Sequence, residues 1–232
     1  FFVSVYIFGT VIAYILMSTF FKEKLMKKLL LMLTIVSLPS FAGVSANVGI
    51  TSDYIWRGMT QSDGISVSGG FDYEADGGFY AGVWGANINW GYATDDDGVL
   101  TEYGSGNEFD VYFGYATEVG GIGVDIGYVS FMYPGISEYD FEEIVLGLSM
   151  GDLGFTYAMG QDDFPDYTEI SYGIGPVGVS YGQYDDMGDN LLISYGFGCG
   201  SYDCSLAYSD FSDEGYSGVD EDALVFSIGA SF

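Results

Sequence analysis

The most constraining feature of this chain is an alternation of apolar and polar residues with a period of two, kept up almost without a break from residue 47 to the end. Ile65, Val67, Gly69, Phe71 and Tyr73 alternate with Ser66, Ser68, Gly70, Asp72 and Glu74. Phe109, Val111, Phe113 and Tyr115 oppose Glu108, Asp110, Tyr112 and Gly114, and Ile122, Val124, Ile126 and Tyr128 oppose Gly123, Asp125 and Gly127. Period two is the signature of a strand, and no window past residue 47 carries a sustained helical stripe. The two faces also differ in kind. One is aliphatic and aromatic, and the other is Gly, Ser, Thr, Asp and Glu. In a β-sandwich one of these faces would have to fill a dry core, and the acidic face cannot do so without burying unpaired charge. A closed barrel in a bilayer resolves the conflict, with the apolar face toward lipid and the polar face around a wet lumen.

The alternating runs number about twelve, with ten to fourteen as the range. They fall near 47–57, 65–75, 78–90, 107–118, 122–133, 140–150, 153–160, 167–174, 177–184, 190–198, 201–210 and 222–232. Most have the nine to twelve residues or so that a tilted strand needs to cross a bilayer. The connections alternate in length. Gly77-Gly78, Gly120-Gly121, Gly151-Asp152, Gly175-Pro176 and Gly200-Ser201 are tight turns, and longer polar segments lie between them. Short turns on one side and long loops on the other is the layout of an up-and-down antiparallel transmembrane barrel of the bacterial outer membrane. Leu224, Phe226, Ile228, Ala230 and Phe232 form an apolar face ending on an aromatic residue, the kind of last strand that the barrel-assembly machinery reads.

Composition narrows the function. The chain has 33 acids against 5 bases, a net charge of −28, and no histidine. A basic surface for nucleic acid cannot be built. Histidine-dependent triads and His-ligated metals are excluded. Because outer-membrane hydrolases and acyltransferases generally use a histidine base, the expectation is that the chain is not an enzyme and needs no cofactor.

Four of the bases, Lys22, Lys24, Lys27 and Lys28, form one knot. From Met26 the sequence reads as a secretory signal. Met26-Lys27-Lys28 is the positive region and Leu29 to Leu38 the apolar region. Val44-Ser45-Ala46 supplies small residues for cleavage before Asn47, with cleavage after Ala42 as the alternative. Residues 1–25 are read as upstream sequence ahead of the start at Met26, against the other reading, an inner-membrane anchor. The expected organisation is therefore 1–25 upstream, 26–46 signal peptide and 47–232 barrel. Removal of Glu23 and the four lysines leaves 32 acids and Arg57, a net charge of −31.

The stretch Asn47-Val-Gly-Ile-Thr-Ser-Asp-Tyr-Ile-Trp-Arg-Gly-Met-Thr-Gln-Ser-Asp63 carries a resemblance. It is similar to the opening of the TorF-type porin family, with Ser52-Asp53-Tyr54, Trp56, Arg57-Gly58 and Gln61-Ser62 as the matching core. Gly78-Phe79-Tyr80-Ala81-Gly82-Val83-Trp84 and Tyr133-Pro134-Gly135 fit as well. The resemblance implies an outer-membrane barrel with a pore role and names a class rather than a solute.

Parity assigns a lumen side. The first strand puts Val48, Ile50, Tyr54 and Trp56 on one face, and Asn47, Gly49, Thr51, Asp53 and Arg57 on the other. The same parity sends Asp72, Glu74, Glu108, Asp110, Asp125, Glu143, Glu169 and Asp203 to the lumen. Rings of carboxylates favour cations. Arg57 then has two readings: it faces acids across a constriction, or it tethers the first loop through a carboxylate fork. Tyr54, Trp56, Tyr80, Trp84, Trp90, Tyr112, Tyr128 and Tyr133 are expected chiefly as an interfacial girdle. Cys199 and Cys204 flank a turn on the periplasmic side, where a local disulfide is expected. The acid runs Asp95-Asp96-Asp97, Asp162-Asp163, Asp185-Asp186 and Asp220-Glu221-Asp222 lack full calcium-loop spacing and read as solvated loop charge. Gly173-Ile-Gly-Pro-Val-Gly178 matches a dinucleotide-binding string, but Pro176 and the alternation after it mark a β-turn and another strand.

The resulting expectation is a porin-like outer-membrane channel for ions and small polar solutes, cation-preferring through its acidic lumen. The alternative is a non-conducting barrel with a plugged lumen and acidic surface loops. The expected partners are outer-membrane lipid and lipopolysaccharide, the assembly machinery through the strand ending at Phe232, and small solutes.

Overall fold

The computed structural model describes residues 43–94, 100–102, 104–216, 218 and 220–232. Twelve strands close into one antiparallel barrel: β1 (Gly43–Thr51), β4 (Ser66–Glu74), β5 (Phe79–Asn89), β8 (Ser105–Val119), β9 (Ile122–Met132), β10 (Phe141–Met150), β11 (Leu153–Gly160), β12 (Tyr167–Ile174), β13 (Val177–Tyr184), β14 (Gly188–Cys199), β15 (Tyr202–Asp213) and β16 (Glu221–Ser231). Two small hairpins interrupt the sequence between wall strands. One is β2 (Ile55–Trp56) with β3 (Met59–Thr60), and the other is β6 (Tyr92–Thr94) with β7 (Leu100–Glu102). Each wall strand pairs with its neighbour in the chain. The seam joins β1 to β16, where Asn47–Thr51 pair with Ser231–Ser227, and Ala46 and Phe232 exchange two backbone hydrogen bonds of 3.1 and 2.9 Å.

The register fixes the faces, and burial identifies them. Ile126, Ile170 and Leu224 point outward and are 56%, 53% and 69% exposed. Residues of this type in neighbouring strands sit opposite one another, as with Tyr115 and Ile126 or Ile144 and Tyr128. Such a continuous apolar belt is unfavourable in water and is what a hydrocarbon core requires. Among the described residues no helix is long and apolar enough to cross a membrane. The strands do the crossing, so the molecule is a transmembrane β-barrel.

The first strand differs from its expected course. It begins at Gly43 rather than 47 and leaves the wall after Thr51 rather than 57. Gly43–Ala46 are paired with Glu74–Phe71, so they belong to the wall. At the other end Arg57 and Gly58 both have positive φ, 49° and 90°, between the paired couples Trp56–Met59 and Ile55–Thr60. Two consecutive positive-φ residues make the tight two-residue reversal of a β-hairpin, which the right-handed strand twist favours. The apolar alternation through Tyr54 and Trp56 thus continues into a hairpin instead of a wall strand.

Glycines on the lumen face do not simply leave space. The rings of Tyr112, Tyr80 and Tyr167 lie against Gly82, Gly114 and Gly182, where a methyl group would overlap the ring. From there Tyr112 donates to Asp72, and Tyr80 donates to Asp125 at 2.8 Å. Cys199 and Cys204 are bonded across the β14–β15 turn with Cα atoms 5.8 Å apart. Gly175-Pro176 is the turn between β12 and β13, so the dinucleotide-like string carries no helix.

Candidate functional site: an inward hairpin across the bore

Hairpin 52–65 enters the barrel from the end with the longer connections and spans it. Its contacts reach the lumen faces of β5, β8, β9, β10, β12, β13, β14, β15 and β16. Tyr54 Oη donates to Glu108 Oε1 at 2.8 Å, and its ring packs edge-on against Trp84 at 5.5 Å. Thr60 N–H donates to Glu221 Oε2 at 2.8 Å. Gln61 accepts from Asn89 N–H at 2.8 Å and from Trp90 Nε1 at 3.0 Å. Trp56 fits among Phe131, Phe141, Phe164 and Tyr184, with ring centroids 5.5 to 6.5 Å away. At the tip, Gly58 meets the far wall so closely that a Cβ would lie 2.6 Å from that of Asn190 and 3.0 Å from that of Phe211. Positive φ and this contact both require glycine there.

The strongest contact is ionic. Arg57 Nη1 and Nη2 donate to Glu143 Oε1 and Oε2 at 2.6 and 2.8 Å, a bidentate fork, and Nη1 also donates to Tyr184 Oη at 3.0 Å. The Arg57 guanidinium carbon stands 4.1 Å from the Tyr167 ring centroid, 4.6 Å from Trp56 and 5.5 Å from Tyr184. The Arg57 side chain is 15% exposed and that of Glu143 is 0%. Burial disfavours the Arg57 charge, but the Glu143 and Tyr184 partners outweigh it, so the guanidinium sits above its ordinary range. Burial, then the neighbouring Glu108 charge, raises the Tyr54 phenol, which therefore remains a donor. Asp53 is raised chiefly by burial, while Ser62 Oγ, donating to its Oδ1 at 2.8 Å, acts in the opposite direction.

The hairpin divides the lumen. On its side of the barrel the inward residues Glu108, Asp110, Glu143, Ser180, Asn190 and Ser209 are buried. Toward the tight turns, along the same faces, Asp72 and Asp125 are only partly buried, and Glu74 and Asp203 are exposed. Beneath the hairpin Asp110 Oδ1 is buried with no partner, two residues from Glu108 on the same face of β8.

By register Asp72, Glu74, Glu108, Asp110, Asp125, Glu143, Glu169 and Asp203 all lie on the lumen face. Glu169 there accepts from Tyr167 Oη at 2.9 Å. Asp53 and Arg57 are not wall residues. Asp53 braces the hairpin through Ser62, and Arg57 forms the carboxylate fork, the second of its two sequence readings. Of the aromatics expected in a girdle, Tyr128 faces outward, against Phe113 at 5.3 Å. The expectation fails for Tyr54, Trp56, Tyr80, Trp84, Trp90, Tyr112 and Tyr133, which face the interior or pack on the hairpin's cluster. Glu221, expected as loop charge, points inward and holds Thr60. The run Asp95-Asp96-Asp97 lies outside the described residues.

Fold and site together define a transmembrane β-barrel with its bore crossed by an inward hairpin. The chain belongs to a family of bacterial proteins of unknown function, Gcw_chp, whose profile matches residues 39–192, from just ahead of β1 into β14. No curated protein matches. Among solved structures the chain is similar to the outer membrane phospholipase (OMPLA) dimer of Salmonella typhi, at 13% identity and a TM-score of 0.41, over 84% of this chain and 91% of that one. It is also similar to a triple mutant of Rhodopseudomonas blastica porin, at 13% identity and a TM-score of 0.34, over 83% and 99%.

Proposed function

We propose that the protein is a porin-like channel of the bacterial outer membrane for ions and small polar solutes, closed in this conformation by hairpin 52–65. Its longer loops face outward and its tight turns face the periplasm, as in other outer-membrane barrels. The resemblance of residues 47–63 to TorF-type porins supports this reading. The observation that carries it is that one hairpin outside the wall crosses the bore, while the turn-side half keeps partly exposed, small polar and acidic walls. About eight strands give an interior that side chains just fill, and this barrel has twelve, which leaves room for a path beside them. The carboxylates of that half, Asp72, Glu74, Asp125 and Asp203, make the path cation-preferring. No catalytic step is assigned, since the chain has no histidine. Outer-membrane lipid, lipopolysaccharide and the assembly machinery are the partners this reading implies.

The test is single-channel recording of the detergent-folded protein in a planar bilayer under a salt gradient. Infrequent openings with a cation-selective reversal potential are expected. Absence of openings in the wild type and in hairpin-loosened variants favours the second reading, a permanently plugged barrel, to which the buried Arg57–Glu143 fork also lends weight.

A further inference from the structure

We propose that the wall side of the Arg57 contact is a binding site for guanidinium-type organic cations, and that such a solute opens the channel by replacing Arg57. The inference rests on the channel reading. Glu143, Tyr167 and Tyr184 belong to β10, β12 and β13, so all three stay in place when the hairpin leaves. They present a fully buried carboxylate whose two oxygens already take two parallel N–H donors, flanked by two rings at cation–π distance. That set matches a planar, forked cation. An ammonium group gains the charge and the ring contact but not the fork, and a sodium ion gains only the charge.

The chain cannot fill the vacated site by itself. Arg57 is the only base between residue 47 and the end, so no second side chain can neutralise Glu143. With the hairpin gone, Glu143 faces the lumen as an uncompensated anion beside two rings, and a cation that reproduces the fork restores the lost contact. The hairpin therefore acts as a tethered ligand, and the ligand it imitates is a guanidinium carried by a small solute entering the lumen.

Methylguanidinium chloride is the probe, compared with methylammonium chloride and sodium chloride at equal ionic strength in bilayer recordings of the wild type. A ligand that binds only the open form multiplies the open-to-closed ratio by about 1 + [L]/Kd, roughly tenfold at ten times Kd. Methylguanidinium should raise open probability on this scale, methylammonium less, and sodium not at all. Glu143→Gln should conduct without the probe and lose the response. Calorimetry on Arg57→Gln, in which the tethered competitor is removed, should show one-to-one binding of methylguanidinium. Sodium conductance with no methylguanidinium response and no binding heat overturns this inference and leaves the channel reading standing. Binding heat without conductance in any variant supports the cation site and overturns the channel reading.

Discussion

Replacement of Glu143 by Gln tests the closure most directly. The change preserves side-chain volume and one carbonyl acceptor but removes the charge. Arg57, with its side chain 15% exposed, would then be held in the wall without a counter-ion. Breaking a buried ion pair at one partner costs about 3–5 kcal/mol. The lower end applies here, because Tyr184 Oη at 3.0 Å and the amide oxygen still accept from the guanidinium. About 3 kcal/mol at 1.4 kcal/mol per decade shifts the docked-to-undocked ratio by roughly 150-fold. From an open population of about 0.1–1% in the wild type, typical of a minor conformer, the variant should be open about 10–60% of the time. Single-channel open probability reads this directly. The double variant Arg57→Gln, Glu143→Gln removes both charges and should be more closed than either single variant, with a coupling of about 2 kcal/mol in the cycle. An open probability unchanged in Glu143→Gln, or a double variant as open as the two singles combined predict, would refute the claim that this pair holds the hairpin.

Three further outcomes follow from the same geometry. Gly58→Ala combines φ of 90° with a Cβ 2.6 Å from Asn190 Cβ, so it should cost at least about 2 kcal/mol of docking and raise the open ratio about 30-fold in the same recordings. N-terminal sequencing of the exported protein should begin at Gly43, because cleavage after Ala46 removes residues paired with Phe71–Glu74, whereas cleavage after Ala42 leaves β1 whole; a product starting at Asn47 would show the barrel closing without them. Reduction of Cys199–Cys204 should lower unfolding stability by no more than about 2 kcal/mol in urea titrations, since the bond closes a loop of a few residues; loss of the folded barrel on reduction would contradict this.

Most of the wall was legible because each strand has only two faces to choose between. Once Val67 or Phe109 is placed outward, the position of Asp72 or Glu108 follows from parity, and the observed register agrees. The hairpin was not legible for the same reason. Tyr54 and Trp56 keep the even-numbered apolar phase of Val48 and Ile50, so the alternation gives no sign that the chain has left the wall. Arg57-Gly58 was the one local signal of a reversal, and arginine is an unusual occupant of a positive-φ position. The interior aromatics were misplaced on similar grounds. A tyrosine at the end of a strand suits a lipid interface, and only the pairing of strands shows that Tyr80 and Tyr112 each have a glycine beside them, Gly114 and Gly82, that leaves room for the ring inside.

The charge pattern explains why closure takes this form. Glu108, Glu143 and Glu221 on the wall each accept from the hairpin, through Tyr54 Oη, the Arg57 guanidinium and the Thr60 N–H. An acidic wall cannot be closed by packing its own side chains together, because like charges would be buried against one another. It can be closed by a segment that brings donors and one cation. The chain from residue 47 onward supplies a single base, placed at the tip of the only hairpin shown crossing the described lumen. Undocking of the hairpin would therefore re-expose an anionic site rather than a neutral one, so on the channel reading the cost of opening is set by the carboxylates that hold the hairpin, Glu108, Glu143 and Glu221.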